Sequence, residues 1–135
     1  MNPQTAAYLA RARASLSDAR KILAIDIPLQ AGRLAYYAQF HGAQALIFQR
    51  TAKIAKTHKG VITQFHKLSR LESSLDPHLA RQLSAAYHFK EAADYETGPA
   101  GLIASADAFA AIEAAERFVT AITALLSPPD APSGT

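Results

Sequence analysis

RLAYYAQFHGAQALIFQRTAKIAKTHK, residues 33–59, is an almost wholly apolar run that ends in a short basic turn. In helical register Leu34, Tyr37, Ala38, His41, Ala45 and Phe48 share one face, while Tyr36, Phe40, Ala43 and Ile47 cover another. Apolar groups thus surround most of the axis, which predicts a helix buried on several sides. Between Leu34 and Phe48 the polar side chains, besides two tyrosine hydroxyls, are Gln39, His41 and Gln44. An unpaired polar group in such surroundings costs about 1–3 kcal/mol, so His41 and the hydroxyls are expected to find partners elsewhere in the chain.

On either side of this run the periodicity predicts four more helices. Asn2 or Thr5 can cap a first helix to about Leu23, with Tyr8, Ala12, Leu16, Ala19, Ile22 and Leu23 as its apolar stripe. Asp26 to Pro28 ends it. The central helix is expected from Leu29 or Gln30 to about Lys53, and Gly42 would let a neighbouring helix approach. Thr57 reads as the cap of a third helix, His58 to about Leu71. Asp76 and Pro77 start a fourth, to about Glu96, whose stripe Leu79, Leu83, Ala86 and Tyr87 continues through Lys90 and Asp94. Ser105 would cap a last helix to about Leu126, carrying Phe109, Ile112, Ala115, Phe118, Val119 and Ile122. The fold class expected is all-α, a five-helix up-and-down bundle of four long helices with the shorter third lying across an end. Residues 1–127 would form a single domain and 128–135, rich in proline, a disordered tail.

Composition narrows the function classes. The chain has 135 residues and no cysteine, so disulfides and thiolate chemistry are excluded. Alanine is abundant and β-branched residues are sparse, which favours helix. Neither a secretory leader nor a stretch of about 18 apolar residues is evident, and a cytoplasmic protein without membrane contact is expected. The net charge of +3 is unevenly spread. Residues 27–71 hold Arg33, Arg50, Lys53, Lys56, Lys59, Lys67 and Arg70 and no acid, whereas acids outnumber bases from Glu72 onward. Such asymmetry suits an anionic ligand such as RNA or a nucleotide phosphate, or an acidic partner surface.

Lys56-Thr-His58-Lys59-Gly60 is the most site-like loop, because a helix start offers backbone donors while Lys56, Lys59 and His58 add charge and a titratable proton. The competing reading makes Thr57 a cap and His58 a packing residue. His41, alone in an apolar face, reads first as a hydrogen-bonded core residue. Arg81 and His88 lie seven residues apart, about 700° around a helix and so on roughly one face. Lys90 and Asp94 form an i, i+4 pair beneath Tyr87. The five histidines form no pair at metal-ligand spacing, no nucleotide-binding glycine motif is present, and no metal or cofactor is expected.

Taken together, A-Y-Y-A-x-F-H-x-A-x-A-L (Ala35–Leu46), K-T-H-K-G-V (Lys56–Val61), A-D-Y (Ala93–Tyr95) and A-x-x-F-V (Ala115–Val119) resemble the HEPN domain family, in particular its small single-domain prokaryotic branch. The resemblance implies a helical bundle, usually a homodimer, often paired with a minimal nucleotidyltransferase as toxin and antitoxin. It implies, for many members, metal-independent ribonuclease activity through an R-x4-6-H motif. Here Lys90 stands where this branch commonly has the arginine of R-x-x-x-D-Y, and no histidine follows at that spacing. Lysine is a point charge without the bidentate fork of arginine. The site expected from residues and resemblance together has His58, His41 and Asp94 as catalytic candidates. Lys56, Lys59, Lys90 and Arg33 would bind phosphate, and Tyr95 would be a target of nucleotide modification. The other function class is a noncatalytic helical protein that binds a protein partner.

Overall fold

Caps and apolar periodicity set five helices in a computed structural model that describes residues 1–98 and 102–127. They are α1 (Pro3–Ala24), α2 (Pro28–Thr51), α3 (His58–Ser69), α4 (His78–Tyr95) and α5 (Ser105–Leu126), with no strand among the described residues. The expected tail, 128–135, lies outside them. Among the described residues no helix is long and apolar enough to cross a membrane.

Asn2, not Thr5, caps α1, its side-chain oxygen accepting from the Gln4 amide. Thr5 is buried inside the helix and donates its hydroxyl to Gln49 at 2.8 Å. α2 begins slightly earlier than expected, at Pro28, because proline at the first turn forgoes a donor the helix could not use. It ends at Thr51, and Ala52 closes it in the left-handed region at φ 57°, where glycine would be unstrained. At α4 the Asp76 carboxylate accepts from the His78 amide, so the expected cap acts although the helix starts two residues later. The Ser105 cap is not formed. Ala104 occupies that position, and the Ser105 hydroxyl instead donates to Asp26, tying the start of α5 to the α1–α2 turn.

α2 touches every other helix, as an element apolar on all sides must. One core cluster joins α1, α2 and α5 through Ala12, Ala19, Ala31, Ala35, Ala38, Ala108 and Ala115, with Leu16, Ile112 and Val119 between them. Small side chains let these three axes come close. A second, aromatic cluster adds α3 and α4, with Tyr36, Phe40, Phe65 and Phe118 at its centre. Gly42 lies against Phe118 of α5, where a Cβ would stand 3.3 Å from the ring. Gly32 lies against Phe89 of α4, where a Cβ would stand 2.6 Å from the ring, so glycine is required for that contact. Phe109 departs from the expected stripe. It is half exposed, and the neighbouring Ala108 is buried in its place. α4 packs on α2 and α3 and barely meets α5.

Candidate functional site

The loop between α2 and α3 is fixed from the α2 side. Gln44 donates to the carbonyl of Ala55 at 2.9 Å, and its oxygen meets His41 Nδ1 at 2.8 Å. His41 therefore has a partner in its own helix, one turn on. Burial lowers its pKa against the opposing hydrogen bond to Gln44, and Arg11 of α1 adds to the lowering. Its place is behind the loop.

After the loop, Thr57 caps α3 by accepting from the Gly60 amide at 3.0 Å, which uses one of the donors a helix start offers to an anion. His58 follows and turns its ring inward. Tyr36, Tyr37, Phe40 and Tyr87 surround it with ring centroids between 5.1 and 6.1 Å away, and the Tyr36 hydroxyl lies 2.7 Å from Nδ1. Burial lowers the His58 pKa, and Lys90 adds to this, against the opposite pull of Glu91 and Asp94. The ring is thus neutral near pH 7. Burial also raises the Tyr36 phenol far above its ordinary value, so it keeps its proton, and the hydroxyl can donate to Nδ1 or accept from it according to the tautomer of the ring. In either tautomer the neutral imidazole keeps one ring nitrogen as an acceptor.

α4 completes the cluster. Lys90 is 9% exposed and its Nζ lies 2.8 Å from Asp94, which also accepts from Arg33 Nε of α2. Lys90 Nζ stands 6.0 Å from the centre of the Tyr37 ring. Burial would raise the Asp94 carboxyl, but the hydrogen bonds from Lys90 and Arg33 outweigh it and hold the pKa below the usual range. The bond to Asp94 conversely raises Lys90 against its own burial. Tyr87 donates to Glu91 at 2.7 Å, a bond that raises its phenol. Three helices therefore bring together a neutral histidine, a buried phenol and two cations sharing one carboxylate.

The HEPN domain family model matches residues 5–125. This chain belongs to the HEPN family. No curated protein matches it. Within this HEPN domain Lys90 does not stand alone, because Arg33 brings a guanidinium to the same carboxylate from another helix.

Of the candidates read from sequence, Arg33, Asp94 and Lys90 pair with one another, and the Tyr37 ring lies between this group and His58, 6.0 Å from Lys90 Nζ and 6.1 Å from the imidazole. Asp94 is held by two cations, which suits a positioning carboxylate better than a proton acceptor. Lys56 and Lys59 flank His58 and are exposed. Tyr95 ends α4 with 74% of its surface exposed. Arg81 bonds His78, His88 is exposed, and the two share no partner among the described residues. Sequence reasoning missed Tyr87 and Glu91 as neighbours of His58, and the only signal was the place of Tyr87 in the α4 stripe. It also gave Tyr36 no partner, since its bond to His58 spans 22 residues.

Proposed function

We propose that this HEPN protein is the toxin-like or RNA-binding half of a two-component module with a small nucleotidyltransferase, and that RNA or a nucleotide phosphate engages it at the His58 pocket. The supporting observation is the convergence of His58 with the Arg33–Asp94–Lys90 group, beside an exposed basic loop bearing Lys56 and Lys59. A neutral imidazole is the form that can take the proton of an attacking 2′-hydroxyl. In the tautomer whose Nδ1–H donates to the Tyr36 hydroxyl, Nε2 is free to take that proton. Lys90 and Arg33 would share the charge of the phosphate with Asp94.

On the enzymatic form of this reading, pure protein cleaves RNA without metal, and His58→Ala slows cleavage by about 10²–10⁴-fold while the chain stays folded. Intact RNA after prolonged incubation would sink it. Homodimerisation is part of the proposal, since it would set two pockets on one substrate. Tyr95, exposed beside Asp94, is proposed as the residue a partner nucleotidyltransferase modifies; mass spectrometry after co-expression should find one added nucleotide there, and an unmodified chain would count against it.

One observation favours the second reading, a noncatalytic protein that docks an acidic partner. Arg33 and Lys90 are both already paired with Asp94, and Tyr36 and His58 satisfy each other. Binding to RNA at low salt separates the two, because phosphate contacts are strongest there. A salt-sensitive complex supports the first reading and its absence the second.

A further inference from the structure

The seam between α3 and α4 carries basic groups that the His58 reading leaves unused. The two helices run in opposite directions, with the His58 ring against Tyr87 and, further along, His66 Nε2 2.9 Å from the Ser84 hydroxyl. The far end of the seam is a pocket of about 200 Å³ lined by His66, Ser69, Arg70, Pro77, Ala80 and Arg81. In helical register Lys59, His66 and Arg70 fall within about 40° of one another around α3, so a basic stripe that starts beside His58 ends at this pocket. No acid occurs in α3, and none in α4 before Glu91. In the segment joining them, Glu72 is taken by Arg50 and Asp76 by the His78 amide.

The arginines of this pocket differ from others in the molecule. Arg20, Arg33 and Arg50 each pair with a carboxylate, whereas Arg70 and Arg81 pair with none among the described residues. Arg81 instead donates to Nδ1 of His78, which orients its fork and supplies no negative charge. The first turn of α4 holds no acid, so Arg81 sets a cation at the positive end of a helix dipole. An anion between the two arginines would offset both charges. The apolar part of the wall is Pro77 and Ala80, too little for the large anchors of a protein interface. We propose that this pocket is a second phosphate site, and that a single strand of RNA held at His58 runs along the α3–α4 seam to reach it. The proposal rests on the reading of His58 as an RNA site and extends its footprint by the 12 residues of α3, about 18 Å, so a strand of several nucleotides touches both ends.

Binding of an oligouridylate of about ten nucleotides to the full chain, followed by fluorescence anisotropy as salt is raised, tests this. The double variant Arg70→Gln/Arg81→Gln should bind about tenfold more weakly at low salt, the scale of two exposed ion pairs. Its plot of log affinity against log salt should be shallower by about 0.7 for each phosphate released. Arg13→Gln/Lys21→Gln removes the same charge from α1, which packs on neither α3 nor α4, and should leave both quantities near those of the unaltered chain. Binding unchanged in the α3–α4 variant, or lowered equally by the α1 variant, would overturn the proposal and leave the His58 reading standing. No binding by the unaltered chain at low salt would overturn both. Displacement of the oligonucleotide by an equal concentration of oligoglutamate of the same charge would also overturn the proposal, because the seam would then be a surface for acidic peptide.

Discussion

Asp94 keeps Lys90 charged at nine-tenths burial, and the loss of that carboxylate leaves an ammonium and a guanidinium facing each other with no counterion. Asp94→Asn should therefore cost about 2–3 kcal/mol in chemical denaturation, below the range for a fully buried pair because Arg33 is partly solvated. Lys90→Met should cost less, since Asp94 keeps Arg33 and the methionine stem still packs. An equal loss for the two variants would remove Asp94 from its central place. The histidines set the pH response. Both His41 and His58 have folded pKa values below the ordinary one, so the unfolded chain takes up protons first as the medium is acidified. Their contribution is complete above about pH 6.5 and is lost as pH falls below that toward their folded values. Melting temperature should fall between neutral pH and about pH 5, and less steeply in His58→Gln. At this scale the sequence is informative where period alone places a side chain. Lys90 falls on the inward face because Leu83 and Tyr87 precede it on the α4 stripe, and it is buried. The Tyr36–His58 bond could not be read this way, because two helices and a loop must first fold to bring them within reach.

Helix α2 carries the consequences at the scale of elements. Phe89 of α4 rests on Gly32, and Gly32→Ala drives a methyl into that ring. The gain in helix propensity, about 1 kcal/mol, is set against overpacking of about 1–3 kcal/mol. A net loss of up to about 2 kcal/mol is expected, recovered in part by Phe89→Leu, which makes room. If the double variant is no more stable than Gly32→Ala alone, the contact does not limit how α4 docks. Element existence was legible because α1, α3, α4 and α5 each have a stripe of period 3.6, α2 is one long apolar run, and the starts of α1, α3 and α4 have capping side chains. Ser105 was misread as a cap for a reason outside its own helix. Its hydroxyl has a better partner in Asp26, which the α1–α2 turn presents to it. Phe109 was likewise misplaced by about one position, since an alanine fits the close approach of α5 to α1 and a phenyl ring does not.

Across the whole molecule, packing is uneven. α1, α2 and α5 share an alanine-lined interface, whereas α4 holds to the rest through α2 and α3 and leaves a cleft beside α5. Hydrogen exchange should therefore find α4 amides opening at lower free energy than those in the middle of α2. Equal protection would mean that the domain opens only as one unit. That Arg33, Lys90 and Asp94 bridge α2 and α4 implies that Asp94→Asn speeds exchange in α4 more than in α1. By itself the sequence determined the helical class, the count of helices, the burial of α2 and the family, because these depend on local propensity and on apolar period along the chain. Only the tertiary structure decided that one carboxylate holds Arg33 and Lys90, that His58 turns inward onto Tyr36, and that α4 stands apart from α5. Those outcomes depend on how far each helix can approach the next, which is set by the shapes of side chains distant in sequence. The apolar stretch with its basic turn is thus both core and wall: its helix fills the bundle, and Tyr36 and Arg33 on that helix meet His58 and Asp94 where α3 and α4 close over it.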